Sequence, residues 1–166
     1  MIRAVQLYDA ADLAVIYNYY VQNTVITFEE KIVSPADFAE RIQASMDQKA
    51  TWLVLEDNGS VVGYAYSSLW KSRSAYRYTH EVTVYLDYKH TGKGYGSHLL
   101  QALIEQLKKS PINNIIAIIA LPNEASVAIH EKLGMEKVAH FSKVGYKFSQ
   151  WIDVGYWQLP LSFQER

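Results

Sequence analysis

A potential base and a potential phosphate cradle lie on one short stretch of this sequence, residues 79–107. Glu81 opens a run of β-branched and aromatic residues that predicts a strand. Gly92, Gly94 and Gly96 then form a G-x-G-x-G turn, which is followed by leucines with a helical period. Because glycine lacks a Cβ, backbone amides in such a turn can approach a ligand closely, and a helix N-terminus offers unpaired N–H groups to a phosphate.

Two common phosphate-binding motifs do not match this turn. It lacks the G-K-S/T ending of a Walker loop, and Ser97 stands where the dinucleotide-binding fingerprint needs its third glycine. The residues alone also allow a simpler interpretation, in which glycine serves only to make a tight strand-to-helix turn.

Glu81 lies inside the predicted central strand, where an unpaired charge is costly to bury. The carboxylate can act as a general base that removes a proton from an ammonium group, with a pKa raised by partial burial. The alternative is a structural salt bridge to Lys71, Arg73 or Arg77.

Predicted strands and helices are mixed along the chain and must position these residues. This mixture of elements predicts an α/β fold with a mixed sheet. Ser34 and Pro35 give the second helix an N-cap and a first-turn proline, and Asn58-Gly59 is a strong hairpin signal. Residues 113–120 form an apolar run that is typical of a strand buried on both faces. Strands are predicted at 2–7, 51–56, 60–69, 81–86, 113–120, 137–146 and 148–158, and helices from Asp9 or Asp12 to 23, over 34–47, after the glycine turn to 107, and over 124–133.

The composition is that of an ordinary globular domain, with 166 residues, 49% of them apolar and 20% charged. We expect a single domain over residues 1–166. The formal net charge of −1 makes nucleic acid or an anionic membrane an unfavourable partner. Cysteine is absent, which excludes disulfides and a cysteine nucleophile and fits a reducing compartment. No signal peptide and no membrane-spanning apolar run is recognised, so a cytoplasmic protein is expected.

The turn T-G-K-G-Y-G-S at residues 91–97 resembles the Q/R-x-x-G-x-G/A pyrophosphate motif of the GNAT superfamily of N-acetyltransferases. Thr91 departs from that motif, which usually has Gln or Arg there. Residues 121–123, 125–127 and 130–135 look like the second cofactor motif of the superfamily. Residues 70–76, Glu81, 83–85 and 151–155 resemble its phosphinothricin and methionine sulfoximine acetyltransferase branch, and the likeness extends from residue 2 to residue 159.

The resemblance implies a GNAT-type, mostly antiparallel mixed β-sheet flanked by helices, with a splay between residues 81–86 and 115–120 for pantetheine. It implies acetyl-CoA as cosubstrate and no metal, and the other four histidines outside position 130 show no ligand spacing. The residues expected to bind the cofactor are Val84, Tyr85, Leu86, Gly92, Lys93, Gly94, Tyr95, Gly96, Ser97 and Asn123.

A glutamate at the position of Glu81 is assigned as general base in the branch that this sequence resembles. His130 stands where many superfamily members have a tyrosine that protonates the leaving thiolate. Its imidazole can serve as that acid, as a second base, or only as a packed helix residue. With no cysteine in the chain, direct transfer is favoured over an acyl-enzyme.

The acceptor is expected to be a small amino acid or analogue. Lys71, Arg73 and Tyr76 suit its anionic group, although a solvated charged loop is the alternative. Phe28 is expected to form a wall for the side chain of the acceptor, and Glu29 to disfavour a second negative charge there.

Rival functions are acetylation of another small amine, such as a polyamine or aminoglycoside, and a non-catalytic acyl-CoA-binding module. A homodimer is expected, because the branch is dimeric and because aromatic residues, which are enriched in interfaces, are abundant near the C-terminus. These aromatic residues are Tyr146, Phe148, Trp151, Tyr156 and Trp157.

Overall fold

Seven strands form one sheet in the computed structural model, which describes residues 1–161. The strands are Ile2–Ala4 (β1), Trp52–Asp57 (β2), Ser60–Leu69 (β3), Thr79–Leu86 (β4), Asn114–Leu121 (β5), Glu136–Lys147 (β6) and Gln150–Pro160 (β7). The helices are Ala10–Asn23 (α1), Pro35–Asp47 (α2), Tyr95–Leu107 (α3) and Glu124–Lys132 (α4). The strand order is β1-β2-β3-β4-β5-β7-β6, and every pair is antiparallel except β4–β5.

Local signals place most of these elements where the sequence predicts them. Ser34 caps α2 in a capping box, because its hydroxyl accepts from the Asp37 amide and the Asp37 carboxylate accepts from the Ser34 amide. The β2–β3 turn has positive φ at both Asn58 (+50°) and Gly59 (+78°), as a two-residue hairpin requires. The first strand is shorter than predicted and ends at residue 4, since Leu7–Asp9 forms a 3₁₀ turn.

The sheet opens in its middle, because β4 and β5 pair over only three residues. The parallel register joins Thr79 to Asn114, His80 to Ile115 and Glu81 to Ile116, and ends there. The two strands then separate towards their C-terminal ends. The sheet therefore consists of a β1–β4 half and a β5–β7–β6 half, joined at one short contact.

Helices cover the two faces of the β1–β4 half and bury two clusters of apolar side chains. One cluster lies between the sheet and α3, and the other between the sheet and α1 with α2. Within the run 113–120, residues 115–117, 119 and 120 are buried as predicted, whereas Asn113 and Asn114 are half-buried and Ile118, which borders the opening, is 37% exposed. Within residues 1–161, no helix is both long and apolar enough to cross a membrane.

Candidate active site

The separation of β4 and β5 creates a cleft in the middle of the sheet. Its walls come from both strands, from the segment after α1 and from the beginning of α4. The lining residues are Ile26, Val82, Thr83, Val84, Tyr85, Ile118, Ile119, Ala120, Asn123, Ser126 and His130. Four predicted site residues therefore meet in one cleft: Val84, Tyr85, Asn123 and His130.

The backbone of β4 presents hydrogen-bonding groups to this cleft at alternate residues. The amide of Asp87 donates to the carbonyl of Val62 (2.9 Å), which fixes the phase of the antiparallel β3–β4 ladder. In that phase Tyr85 bonds to β3, whereas the N–H and C=O of Val84 point towards β5. The Leu86 carbonyl accepts from the hydroxyl of a tyrosine in α1 (2.6 Å). Val84 is thus the predicted residue whose backbone edge faces a ligand in the cleft.

The glycine turn joins β4 to α3 with two residues in the left-handed region. Gly92 has a φ of +77° and Gly94, the N-cap of α3, a φ of +80°. A Cβ at either position would meet no atom within 4 Å, so conformation rather than crowding requires glycine there. Thr91 donates its hydroxyl to a carbonyl three residues earlier (3.2 Å), and Ser97 lies in the first turn of α3. The uncapped amides of this turn can receive a phosphate.

The remaining predicted cradle residues have structural contacts of their own. A Cβ on Gly96 would lie 3.1 Å from the Ile129 Cδ1 atom, so Gly96 allows α3 to approach α4. The Tyr95 hydroxyl donates to the carboxylate of Asp57 (2.8 Å). The Lys93 ammonium is exposed at the mouth of the turn, 5.8 Å from the centre of the Tyr95 ring. Lys93 is therefore the predicted side chain that is free to neutralise a phosphate.

Glu81 lies at the residue where β4 stops pairing with β5. It is opposite Ser68 on β3, and both side chains project to the face covered by α1 and α2. Within residues 1–161 the carboxylate makes no salt bridge, so the structural ion pair considered as an alternative is not formed. Burial raises the pKa of Glu81 above its ordinary value, and the nearby Lys71 ammonium partly opposes this rise.

His130 is buried in α4 with one ring nitrogen engaged. Its Nδ1 lies 2.7 Å from the carbonyl oxygen of Ser126, and a carbonyl can only accept, so Nδ1 carries the proton. Burial lowers the pKa of His130, which favours the neutral imidazole. In this tautomer Nε2 has a free lone pair. The geometry therefore favours a hydrogen-bond acceptor or base over the predicted alternative of an acid.

Asn123 is the N-cap of α4. Its Oδ1 accepts from the Ser126 amide (3.2 Å), which orients the side chain and leaves the amide nitrogen as a donor beside the cleft. This is the group that a ligand carbonyl would need.

The loop before β4 holds the three predicted anion-binding residues on the surface. The Lys71 ammonium lies 5.1 Å from the centre of the Trp70 ring, and the Tyr76 ring packs edge-on against the same indole (5.3 Å). Arg73 is exposed and precedes the 3₁₀ turn Ser74–Tyr76. Neither Lys71 nor Arg73 forms a salt bridge with any residue in the described part of the chain.

Glu29 does not present a free negative charge, unlike what the sequence suggested. Its carboxylate binds both terminal nitrogens of Arg41 in α2 (2.5 and 3.0 Å) and accepts from the Tyr17 hydroxyl. Arg41 therefore holds the pKa of Glu29 below its usual range. No local pattern pointed to Arg41, since its partner lies twelve residues away across a loop.

Phe28 lies against the β6–β7 hairpin and is not among the residues that line the cleft. Its ring covers Gly145, where a Cβ would collide with the ring carbons. Beside it lies a second contact that the sequence did not reveal: the Lys147 ammonium donates to the Thr27 carbonyl (2.8 Å).

In the part of the chain that the structure covers, no group of three His, Cys, Asp or Glu side chains is placed to hold a metal ion.

The family profile described as an acetyltransferase (GNAT) domain matches residues 2–155 of this chain. The chain belongs to the GNAT family. The phosphinothricin N-acetyltransferase of Streptomyces viridochromogenes is 36% identical over 152 residues, which cover 90% of this chain and 82% of that protein. The L-methionine sulfoximine/L-methionine sulfone acetyltransferase of Pseudomonas aeruginosa is 37% identical over 165 residues, covering 96% and 94%.

A solved GNAT structure has the same fold over nearly the whole chain. The phosphinothricin acetyltransferase from Sinorhizobium meliloti, in complex with acetyl-CoA, superposes with a TM-score of 0.94 at 32% identity. The match covers 98% of this chain and 88% of that one. The predicted GNAT-type mixed sheet is confirmed, and this GNAT protein is an N-acetyltransferase.

Proposed function

We propose that this GNAT protein transfers an acetyl group from acetyl-CoA to the α-amino group of a small amino acid or analogue, of the phosphinothricin, methionine sulfoximine or methionine sulfone type. One observation supports this above the others. Glu81, half-buried and without a salt bridge in residues 1–161, stands where the cleft begins, near enough to Lys71 for that ammonium to lower its pKa. The two similar proteins described above are named for substrates of this class.

Acetyl-CoA fits the cleft and the glycine turn as a cosubstrate. The amides around Gly92 and Gly94, with Lys93 at the edge, provide positive charge for the pyrophosphate. The free backbone edge of Val84 and the Asn123 amide nitrogen provide partners for the amides of the pantetheine arm. We assign Tyr95 and Gly96 supporting roles, because the contacts of their side-chain positions are with Asp57 and α4.

In the proposed reaction Glu81 removes a proton from the substrate ammonium, and the amine lone pair attacks the thioester carbonyl carbon. The C–S bond then breaks and the nitrogen gives up its second proton to His130 or to solvent, which leaves a neutral amide and a thiolate. A backbone N–H on the free edge of β4 can stabilise the oxyanion that forms between these steps. His130 presents a lone pair at Nε2, so we assign it to accepting a hydrogen bond or a proton rather than to delivering one. The thiolate takes its proton from solvent in this scheme.

The acceptor is proposed to bind as a zwitterion between two charged groups. Its ammonium faces Glu81, while Lys71 and Arg73 neutralise its acid group, with Tyr76 as an additional donor. Lys71 is placed for this role because its positive charge is near enough to Glu81 to lower the pKa of that carboxylate.

We infer a cytoplasmic location as part of this proposal.

We expect Gly94→Val to weaken acetyl-CoA binding at least tenfold, because a β-branched residue is strained at a φ of +80° and its side chain obstructs the approach to the amides. Gly59→Val is the matched control, since Gly59 has a φ of +78°, also has open space around it, and lies in the β2–β3 turn. Isothermal titration with CoA measures both variants. Equal CoA affinities in the two folded variants would contradict the phosphate cradle.

We expect Glu81→Gln to lower kcat by about 10²–10⁴-fold with little change in CoA affinity, because only proton acceptance is lost. In the wild type, kcat/KM should fall with decreasing pH as Glu81 becomes protonated, and the raised pKa places this fall above the ordinary carboxyl value of 4.5. The substitution should remove that acidic limb. A thiol-release assay across pH measures it. A variant that keeps activity within a few fold and an unchanged profile would point to another base, His130 first.

We expect Arg73→Ala to raise the KM for methionine sulfone about tenfold or more, since a charge-assisted hydrogen bond contributes about 1.5–3 kcal/mol. Arg77→Ala is the matched control in the same loop, because the Arg77 guanidinium is already bound to the Ser74 carbonyl and lies over the Tyr78 ring. The effect of Arg73→Ala should vanish for the corresponding amine that lacks a carboxylate. Similar KM changes in both variants would show a general charge effect instead of a specific contact.

A homodimer is the proposed assembly, formed through the β6–β7 hairpin. Tyr146, Phe148 and Trp151 are more than half exposed there, whereas Trp157 belongs to the core and binds Glu131 through its indole N–H. Such exposed aromatic residues are enriched in interfaces. We expect sedimentation at micromolar concentration to give twice the chain mass.

The dimer proposal also predicts that Trp151→Glu dissociates the protein. A control substitution at an exposed apolar position on α1, Val15→Glu, should leave the mass unchanged. A monomeric wild type would rule out the dimer.

A further inference from the structure

Segment 24–30, between α1 and α2, spans the opening of the sheet on the face covered by these helices. Ile26 lines the cleft together with residues of both β4 and β5. Thr27 follows it and has contacts in both directions. Its side-chain oxygen lies 2.7 Å from the Tyr17 hydroxyl of α1, and its carbonyl accepts from the Lys147 ammonium of β6.

The β1–β4 half of the sheet holds one side of this segment. The Tyr17 ring packs edge-on against Tyr85 of β4 (5.2 Å between ring centres). The Tyr17 hydroxyl also donates to Glu29, and Arg41 of α2 binds the same carboxylate. These contacts fix the segment with respect to the strand that carries Glu81.

The β6–β7 hairpin holds the other side through two residues. Lys147 is only 1% exposed, although burial lowers its pKa and disfavours its charge. The charges of Glu29 and Glu30 oppose this effect. Gly145, two residues earlier on the same face of β6, provides the flat surface on which the Phe28 ring lies. Lys147 is fully buried, and a side chain at Gly145 would collide with the Phe28 ring. Replacing either residue would therefore disturb the attachment of the segment to β6.

We propose that Lys147 and Gly145 are positioning residues that fix segment 24–30 as a bridge across the cleft. Beyond the Glu81–Ile116 pair, β4 and β5 share no backbone pairing, so this bridge connects the two halves on the acceptor side. By setting the distance between them, it sets where the acetyl group and the Phe28 ring lie relative to Glu81. The inference rests on the proposed function for its effect on catalysis, but the bridge itself is a property of the fold.

The site of the bridge predicts which kinetic constants change. The phosphate cradle belongs to the β4–α3 connection, on the β1–β4 half of the sheet, whereas the bridge is attached to β6 through Lys147 and Gly145. Loss of the bridge should therefore leave the KM for acetyl-CoA within about twofold. It should raise the KM for the amino-acid acceptor and lower kcat, so that kcat/KM for the acceptor falls about tenfold, as misplacement of a reacting group by a fraction of an ångström would cause.

The first test is Lys147→Met, which keeps an unbranched side chain, shorter by one atom, but removes the donor to Thr27. Lys143→Met is the matched control, because Lys143 is an exposed lysine of the same strand. Steady-state kinetics with methionine sulfone measures both constants, and hydrogen exchange measures protection of the amides in 24–30. We expect the acceptor constants to change and 24–30 to lose protection in Lys147→Met alone. Equal kinetics and equal exchange in the two folded variants would overturn the proposal.

The second test uses the contact between Gly145 and Phe28. Gly145→Ala should displace the Phe28 ring and lower the acceptor kcat/KM. In a Phe28→Leu background the same change should have a much smaller effect, since the colliding ring is gone. Additive effects of the two changes would show that Gly145 does not act through Phe28. If no amino-acid analogue is acetylated by the wild type, the proposed function fails, and the exchange measurement alone decides whether the bridge exists.

Discussion

The site depends on the point at which β4 and β5 stop pairing. Up to Glu81 the two strands share a parallel ladder, and beyond it each has an edge of backbone amides and carbonyls that the other no longer satisfies. Unpaired groups of this kind in a buried cleft require partners, and an extended chain with amides of its own can supply them. The same divergence places Glu81 at the apex of the opening. The free backbone edge of β4 and the position of Glu81 therefore both follow from the same interruption of the sheet.

Burial shifts the pKa values of Glu81, at the point where the cleft begins, and of His130, which lines the cleft, in opposite directions. It raises the pKa of Glu81 and lowers that of His130, because in each case it disfavours the charged form. For Glu81 the change brings a carboxylate closer to the pH at which a general base is most effective. For His130 it favours a neutral ring, whose Nδ1 proton is held by the Ser126 carbonyl. Burial thus moves both residues towards their neutral forms, the protonated carboxyl of Glu81 and the neutral imidazole of His130.

Local patterns predicted the elements and the motif, but long-range contacts were outside their reach. The Ser34 capping box, the Asn58-Gly59 hairpin and the glycine turn all depend on residues within four positions of one another, so the sequence displays them directly. The opening of the sheet was expected only from the resemblance to a family, since no periodicity encodes where two strands diverge. The Lys147–Thr27 bond joins residues 120 positions apart. Sequence reasoning also counted Trp157 with the aromatics expected at a dimer interface, although its side chain is only 1% exposed and packs in the core.

The Glu29–Arg41 pair shows why a charged residue in the sequence need not present a free charge in the fold. Read from the sequence, Glu29 is a negative charge that would repel an acidic side chain of the substrate. In the structure its carboxylate is neutralised by a bidentate guanidinium and bound by the Tyr17 hydroxyl, so the field that it presents to the cleft is small. An ion pair as exposed as this one adds little to stability. The pair attaches the residue that follows Phe28 to α2. In the proposed function, selection by charge falls to Lys71 and Arg73, neither of which forms a salt bridge within residues 1–161.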